Sequence, residues 1–146
     1  MKLRASHLLT FLMTAVWCLL LQSEPRRPSL AYVGDNSYEW LAVAACPQAP
    51  QELKKLISDS LLSAAQEHTI EPALLFAVMR QESRCVPGAR SRKGAAGLMQ
   101  LHPLTARQLG VVDPYEVTQN IRAGARYLSS LLRQFDGRMP LALAAY

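Results

Sequence analysis

Between Glu82 and Asp113 the chain carries no acidic residue. A site made of two carboxylates close in sequence is therefore excluded around Glu82. Any second acid must be delivered by the fold, from Glu67, Glu71, Asp113 or Glu116, and each of these also reads as an ordinary cap or surface charge. Strand patterning is missing too: no stretch alternates apolar and polar residues over the length of a strand. No internal repeat or low-complexity tract is present, so solenoids and arrays are excluded. His102 has no Cys or His partners at metal-ligand spacing, so neither a metal site nor a cofactor is expected.

Charge of one sign is also scarce once the N-terminus is set aside. The whole chain has 16 Lys and Arg against 11 Asp and Glu, a net +5. Lys2, Arg4, Arg26 and Arg27 against Glu24 supply +3 of this, which leaves +2 for residues 32–146. So weak a balance predicts no nucleic-acid partner. Arg84, Arg90, Arg92 and Lys93 are the one basic cluster, and a solvated loop is its ordinary reading.

Residues 1–31 read as a signal peptide. A basic start precedes an almost wholly apolar run from Leu8 to Leu21, too short to span a membrane comfortably, and then Glu24-Pro25-Arg26-Arg27-Pro28. Ser29-Leu30-Ala31 offers small residues for cleavage near Ala31-Tyr32. An uncleaved anchor is the competing reading, and a lipoprotein signal is disfavoured because bulky Trp17 precedes Cys18. The expected location is the periplasm, with membrane contact only through this segment. Export would remove Cys18 and leave Cys46 and Cys85, an even pair in an oxidising compartment. They are either a disulfide or two separate buried thiols.

Residues 32–50 read as a linker, and residues 51–146 carry the helical pattern of one domain. Leu53, Leu56, Ile57, Leu61 and Ala64 fall at helical spacing from Gln51 onward. Pro72 opens a second helix running to Glu82, and residues 84–96 are loop. A short helical turn is expected over Gly97 to Leu101, and a helix from Pro103 to Leu109 with Gly110 as its stop. Asp113 is the expected N-cap of the longest helix, whose core stripe is Ile121, Ala125, Leu128, Leu131, Leu132 and Phe135. Gly137 ends it, and Pro140 to Tyr146 opens another. The class is all-α, a compact bundle of short helices.

Leu75, Val78, Met79 and Glu82 share one helical face. A carboxylate on an apolar stripe is partly desolvated, which raises its pKa and suits a general acid. After Gln81-Glu82-Ser83 and a basic loop come Gly94, Gly97, Leu98, Met99, Gln100 and Leu101, and Ala144-Ala145-Tyr146 lies at the far end. In this order the chain resembles the catalytic domain of the soluble lytic transglycosylase (SLT) family, from about Cys46 to Tyr146.

The resemblance implies a lysozyme-like fold that cuts peptidoglycan glycan strands with a single acid. On this reading Glu82 is catalytic. Ser83, Gln100 and Tyr146 meet the substrate, Gly94 and Gly97 serve the turns, and Met99 belongs to the core. Glu82 would protonate the bond between N-acetylmuramic acid and N-acetylglucosamine, then deprotonate the muramic 6-hydroxyl to leave a 1,6-anhydro product. The basic loop could then meet anionic peptide stems or teichoic-type polymers. Cys85, Val86 and His102 depart from the family pattern, and the chain reads as C-terminally incomplete against it. A goose-type muramidase and an inactive glycan-binding or assembly module remain alternatives. Small size, with no added binding domain, suggests local wall opening for a secretion or conjugation apparatus over general turnover.

Overall fold

The computed structural model describes residues 44–146. The signal peptide, its cleavage site and residues 32–43 of the linker lie outside the described residues. Five helices make up the fold: α1 (Gln51–His68), α2 (Pro72–Ser83), α3 (Pro103–Gln108), α4 (Val117–Gln134) and α5 (Met139–Ala145). Among the described residues there is no strand, only the isolated antiparallel bridges Arg90–Ala96 and Ala96–Leu101. The all-α expectation holds for this part of the chain.

Local sequence explains the helix bounds. Pro72 occupies the first turn of α2, where its missing N–H costs nothing. α1 ends at Thr69, which is left-handed and returns its N–H to the Ala65 and Gln66 carbonyls. α1 and α4, each of 18 residues, form the main helix pair, and α2 and α5 pack against one or the other. Their shared core is Ile57 and Leu61 from α1, Leu75 and Met79 from α2, and Ile121, Ala125 and Leu128 from α4, all without solvent exposure. Burying each of the larger aliphatic side chains contributes about 1.5–3 kcal/mol, enough to fix the helix pairing despite modest individual propensities.

Three local expectations change. Asp113 does not cap α4. Its carboxylate accepts from the Tyr115 N–H at 2.8 Å, closing a turn, and Glu116 takes the cap by accepting from the Thr118 and Gln119 N–H groups at 2.9 and 2.7 Å. Pro114 follows Asp113 directly and delays the helix to Val117. Gly97 to Leu101 is a non-helical turn, because Gly97 at φ +78° and Gln100 at φ +46° lie in the left-handed region. Leu56 is 44% exposed, while Ser58 and Ser60 face inward instead. The Ser60 hydroxyl pairs with that of Thr118 at 3.2 Å, joining α1 to α4.

Residues 44–50 pack on the domain. Arg80 Nη1 donates to the Ala44 and Ala45 carbonyls at 2.8 and 3.1 Å. Buried Cys46 forms a disulfide with Cys85, 39 residues on, with the Cα atoms 5.6 Å apart. The bridge ties the entry to α1 to the exit from α2.

Candidate functional site

Glu82 lies in the last turn of α2. Leu75 and Met79 anchor the same face in the core, and Glu82 as a residue stays exposed. Nearby protein nevertheless desolvates it enough to push its pKa above the usual carboxylate range, and no neighbouring charge contributes to that shift.

The backbone just beyond Glu82 is strongly bent. Arg84 and Cys85 both have positive φ, 52° and 64°. Ser83 holds this bend from inside: its buried hydroxyl donates to the Met79 carbonyl at 3.1 Å and accepts from the Cys85 N–H at 3.2 Å. Its bonds therefore serve the helix end that carries Glu82. The Cys46–Cys85 disulfide holds the same bend from the other side.

The second part of the site is the turn over residues 97–100. Ala96 and Leu101 exchange both backbone hydrogen bonds at 3.0 Å and close it. A Cβ on Gly97 would collide with the Pro114 carbonyl and the Asn120 side chain. Gly94, also at positive φ, has only Pro103 within contact range. Gln100 Nε2 donates to the Gly97 and Ala89 carbonyls at 2.8 and 3.1 Å, so its amide nitrogen pins the loop. Its carbonyl oxygen has no hydrogen bond among the described residues. Met99 and Leu98 are buried in the core. His102 stands at the N-cap position of α3, where its side chain makes no capping bond.

Tyr146 closes the site. Its hydroxyl donates to the Met99 carbonyl at 3.0 Å, and its ring lies 5.3 Å from that of Tyr127. Burial raises its pKa above the ordinary phenol value, and the negative charge of Glu82 adds to the shift. Tyr146 is thus joined directly to the Gly97–Gln100 turn and lies within electrostatic reach of Glu82.

Asn120 is the residue that sequence patterning missed. It is fully buried in α4. Its Oδ1 accepts from the Met99 N–H at 2.6 Å, and its Nδ2 donates to the Ala96 and Pro114 carbonyls at 3.0 and 2.8 Å. Next to Ile121 and four residues before Gly124, it is a polar residue on the apolar face of a helix, a position that requires internal partners. That is the signal that could have found it. Gly124 belongs with it, since a Cβ there would come within 2.6 Å of the Met99 side chain.

Among the described residues, the acids considered as a second carboxylate lie elsewhere. Glu67 bonds Arg122 at 2.8 Å, and Glu116 and Asp113 accept from backbone N–H groups. Glu71 stands at the opposite end of α2 from Glu82, eleven residues away or about 16 Å along the axis. An open cleft of about 640 Å³ lies beside the disulfide, lined by Arg80, Gln81, Arg84 and Val86, and Glu82 is not part of its wall. Among the described residues no group of His, Cys, Asp and Glu could hold a metal ion, and no helix is long and apolar enough to cross a membrane.

The transglycosylase SLT domain model matches residues 59–146. Over 89 residues the chain is 42% identical to a membrane-bound lytic murein transglycosylase F from Desulfosudis oleivorans, covering 57% of this chain and 20% of that protein. Over 88 residues it is 40% identical to a transglycosylase of Enterobacteria phage PRD1, covering 60% of this chain and 33% of that protein. Among solved structures, an inactive mutant of the lytic transglycosylase Slt from Pseudomonas aeruginosa matches with a TM-score of 0.56 at 33% identity, over 80% of this chain and 18% of that one. The lysozyme-like all-α architecture agrees with this match. The chain spans between about a fifth and a third of the length of these relatives.

Proposed function

The chain belongs to the transglycosylase SLT domain family, and on that premise we propose that it is a peptidoglycan lytic transglycosylase with Glu82 as its single acid and base. Protonated Glu82 gives its proton to the oxygen linking N-acetylmuramic acid to N-acetylglucosamine, and the bond to the muramic anomeric carbon breaks. The resulting carboxylate takes the proton of the muramic 6-hydroxyl while that oxygen bonds to the anomeric carbon. A 1,6-anhydro end forms, Glu82 is protonated again, and no water is consumed.

One observation carries the reading: partial burial raises the pKa of Glu82, while Glu67, Asp113 and Glu116 are engaged elsewhere and Glu71 sits at the far end of its helix. The paired scheme needs two carboxylates several ångströms apart. A one-acid site suits a reaction in which the substrate supplies its own nucleophile. Tyr146, kept neutral by burial, spends its single O–H on the Met99 carbonyl and so steadies the turn, and the carbonyl oxygen of Gln100, without a partner among the described residues, accepts from a substrate amide. Ser83 acts by holding the end of α2. Export through residues 1–31 places the enzyme at the wall, where a secretion or conjugation apparatus would require local opening. The relatives named membrane-bound murein transglycosylases support the wall as its site.

Digestion of purified sacculi in ¹⁸O-labelled water tests the reaction. Soluble muropeptides with 1,6-anhydro ends and no label are the expected products. Labelled reducing ends would make the protein a muramidase, and binding without release would make it a glycan-binding module.

A further inference from the structure

The Met99 peptide unit is gripped from both sides. Its N–H donates to Asn120 Oδ1 at 2.6 Å, and its carbonyl accepts from the Tyr146 hydroxyl at 3.0 Å. The Asn120 amide also reaches Ala96, just before Gly97, and Pro114, just before α4. One buried side chain thus joins the entry to the turn, its centre and the approach to α4. The Gly97 site leaves no room for a different arrangement, because a Cβ there would already strike Asn120 and the Pro114 carbonyl.

We propose that Asn120 is a positioning residue for catalysis: it sets the turn that carries Gln100 and, through Met99, the placement of Tyr146. This rests on the transglycosylase reading. Asn120 touches neither substrate nor acid. Its bonds fix a backbone segment that Gln100 and Tyr146 both hang from. Displacing reacting or orienting groups by about 1 Å costs up to about a hundredfold in rate, whereas affinity spread along a glycan strand is less sensitive to one local shift.

The test uses the full chain with Asn120→Ala and Asn120→Ser, assayed on solubilised peptidoglycan strands below each variant's melting temperature. The wild type is run in parallel. With near-ultraviolet circular dichroism matching the wild type, kcat should fall at least tenfold while KM stays within about twofold. The Asn120→Ala, Tyr146→Phe double variant should lose clearly less than the product of the two single losses, since both act on Met99. Near-wild-type kcat in a folded variant, a loss confined to KM, or independent multiplication of the two losses would overturn the proposal. So would failure of both variants to reach the native spectrum, because Asn120 would then be a residue of the fold alone. A wild type that releases no anhydro product removes the parent reading, and that outcome is visible before any variant is compared.

Discussion

The Tyr146 hydroxyl donates to the Met99 carbonyl at 3.0 Å, which binds the residue after α5 to the turn between α2 and α3. Tyr146→Phe keeps the ring against Tyr127 but leaves that carbonyl without its donor. The expected loss is about 1 kcal/mol of stability, read from urea unfolding, together with a lower kcat. Burial, and then the charge of Glu82, hold the phenol protonated past the usual phenol range near pH 10. The folded-state pKa is raised, so the stabilisation is full below pH ~10 and is lost as the unfolded chain ionises above it. Absorbance titration at 295 nm should show one tyrosine silent until alkaline unfolding, assigned by its disappearance in Tyr146→Phe.

Glu82→Gln separates chemistry from stability. Activity should fall by about two orders of magnitude or more, since proton transfer is lost while size is kept. Stability should move the other way. The raised pKa of Glu82 means that its ionised form is disfavoured in the folded state. Its stabilising contribution is present below the unfolded carboxylate pKa and is lost as pH rises through the raised value. Glu82→Gln should therefore melt above wild type at neutral pH, with the gap closing by about pH 3. Near-full turnover would contradict the assignment of Glu82 as the acid, and equal melting curves at pH 7 would contradict the raised pKa.

The helices were legible because apolar spacing and proline starts are local signals. Pro72 and the stripe Ile121, Ala125 and Leu128 fixed α2 and α4. Asp113 was misread because an Asp before Pro suits both a turn and an N-cap, and only the geometry of Glu116 decides between them. The turn over Gly97 to Leu101 resembled helix because nothing in its apolar content betrays the positive φ at Gln100. Asn120 stayed hidden because its three partners, Ala96, Met99 and Pro114, lie 6 to 24 residues away.

The Cys46–Cys85 disulfide encloses α1 and α2, and it ends on a residue with φ of 64°. We expect the bond in the exported protein, with no free thiol at either position when the denatured, non-reduced protein is labelled. Changing both cysteines to Ala should cost about 2–4 kcal/mol. Activity should fall further than the loss of folded protein explains, because the bend after Glu82 is released. Two labelled thiols in the active protein would end this expectation.

Gly97 and Gly110 offer a matched comparison. Both have positive φ, 78° and 76°, so an Ala at either carries left-handed strain of about 1–2 kcal/mol. At Gly110 a Cβ meets nothing within 4 Å, so Gly110→Ala should cost only that strain and leave activity close to wild type. At Gly97 the same methyl strikes the Pro114 carbonyl and the Asn120 amide, both held by hydrogen bonds to each other. Asn120 cannot retreat without breaking its bonds to Ala96 and Met99, and the Pro114 carbonyl cannot without losing its bond from Asn120. Gly97→Ala should therefore lower the melting temperature well beyond Gly110→Ala and abolish most of the activity. Parallel melts and sacculus digestion of the two variants decide it: equal behaviour would mean that the turn tolerates a side chain, and that Asn120 is not clamped as the geometry indicates.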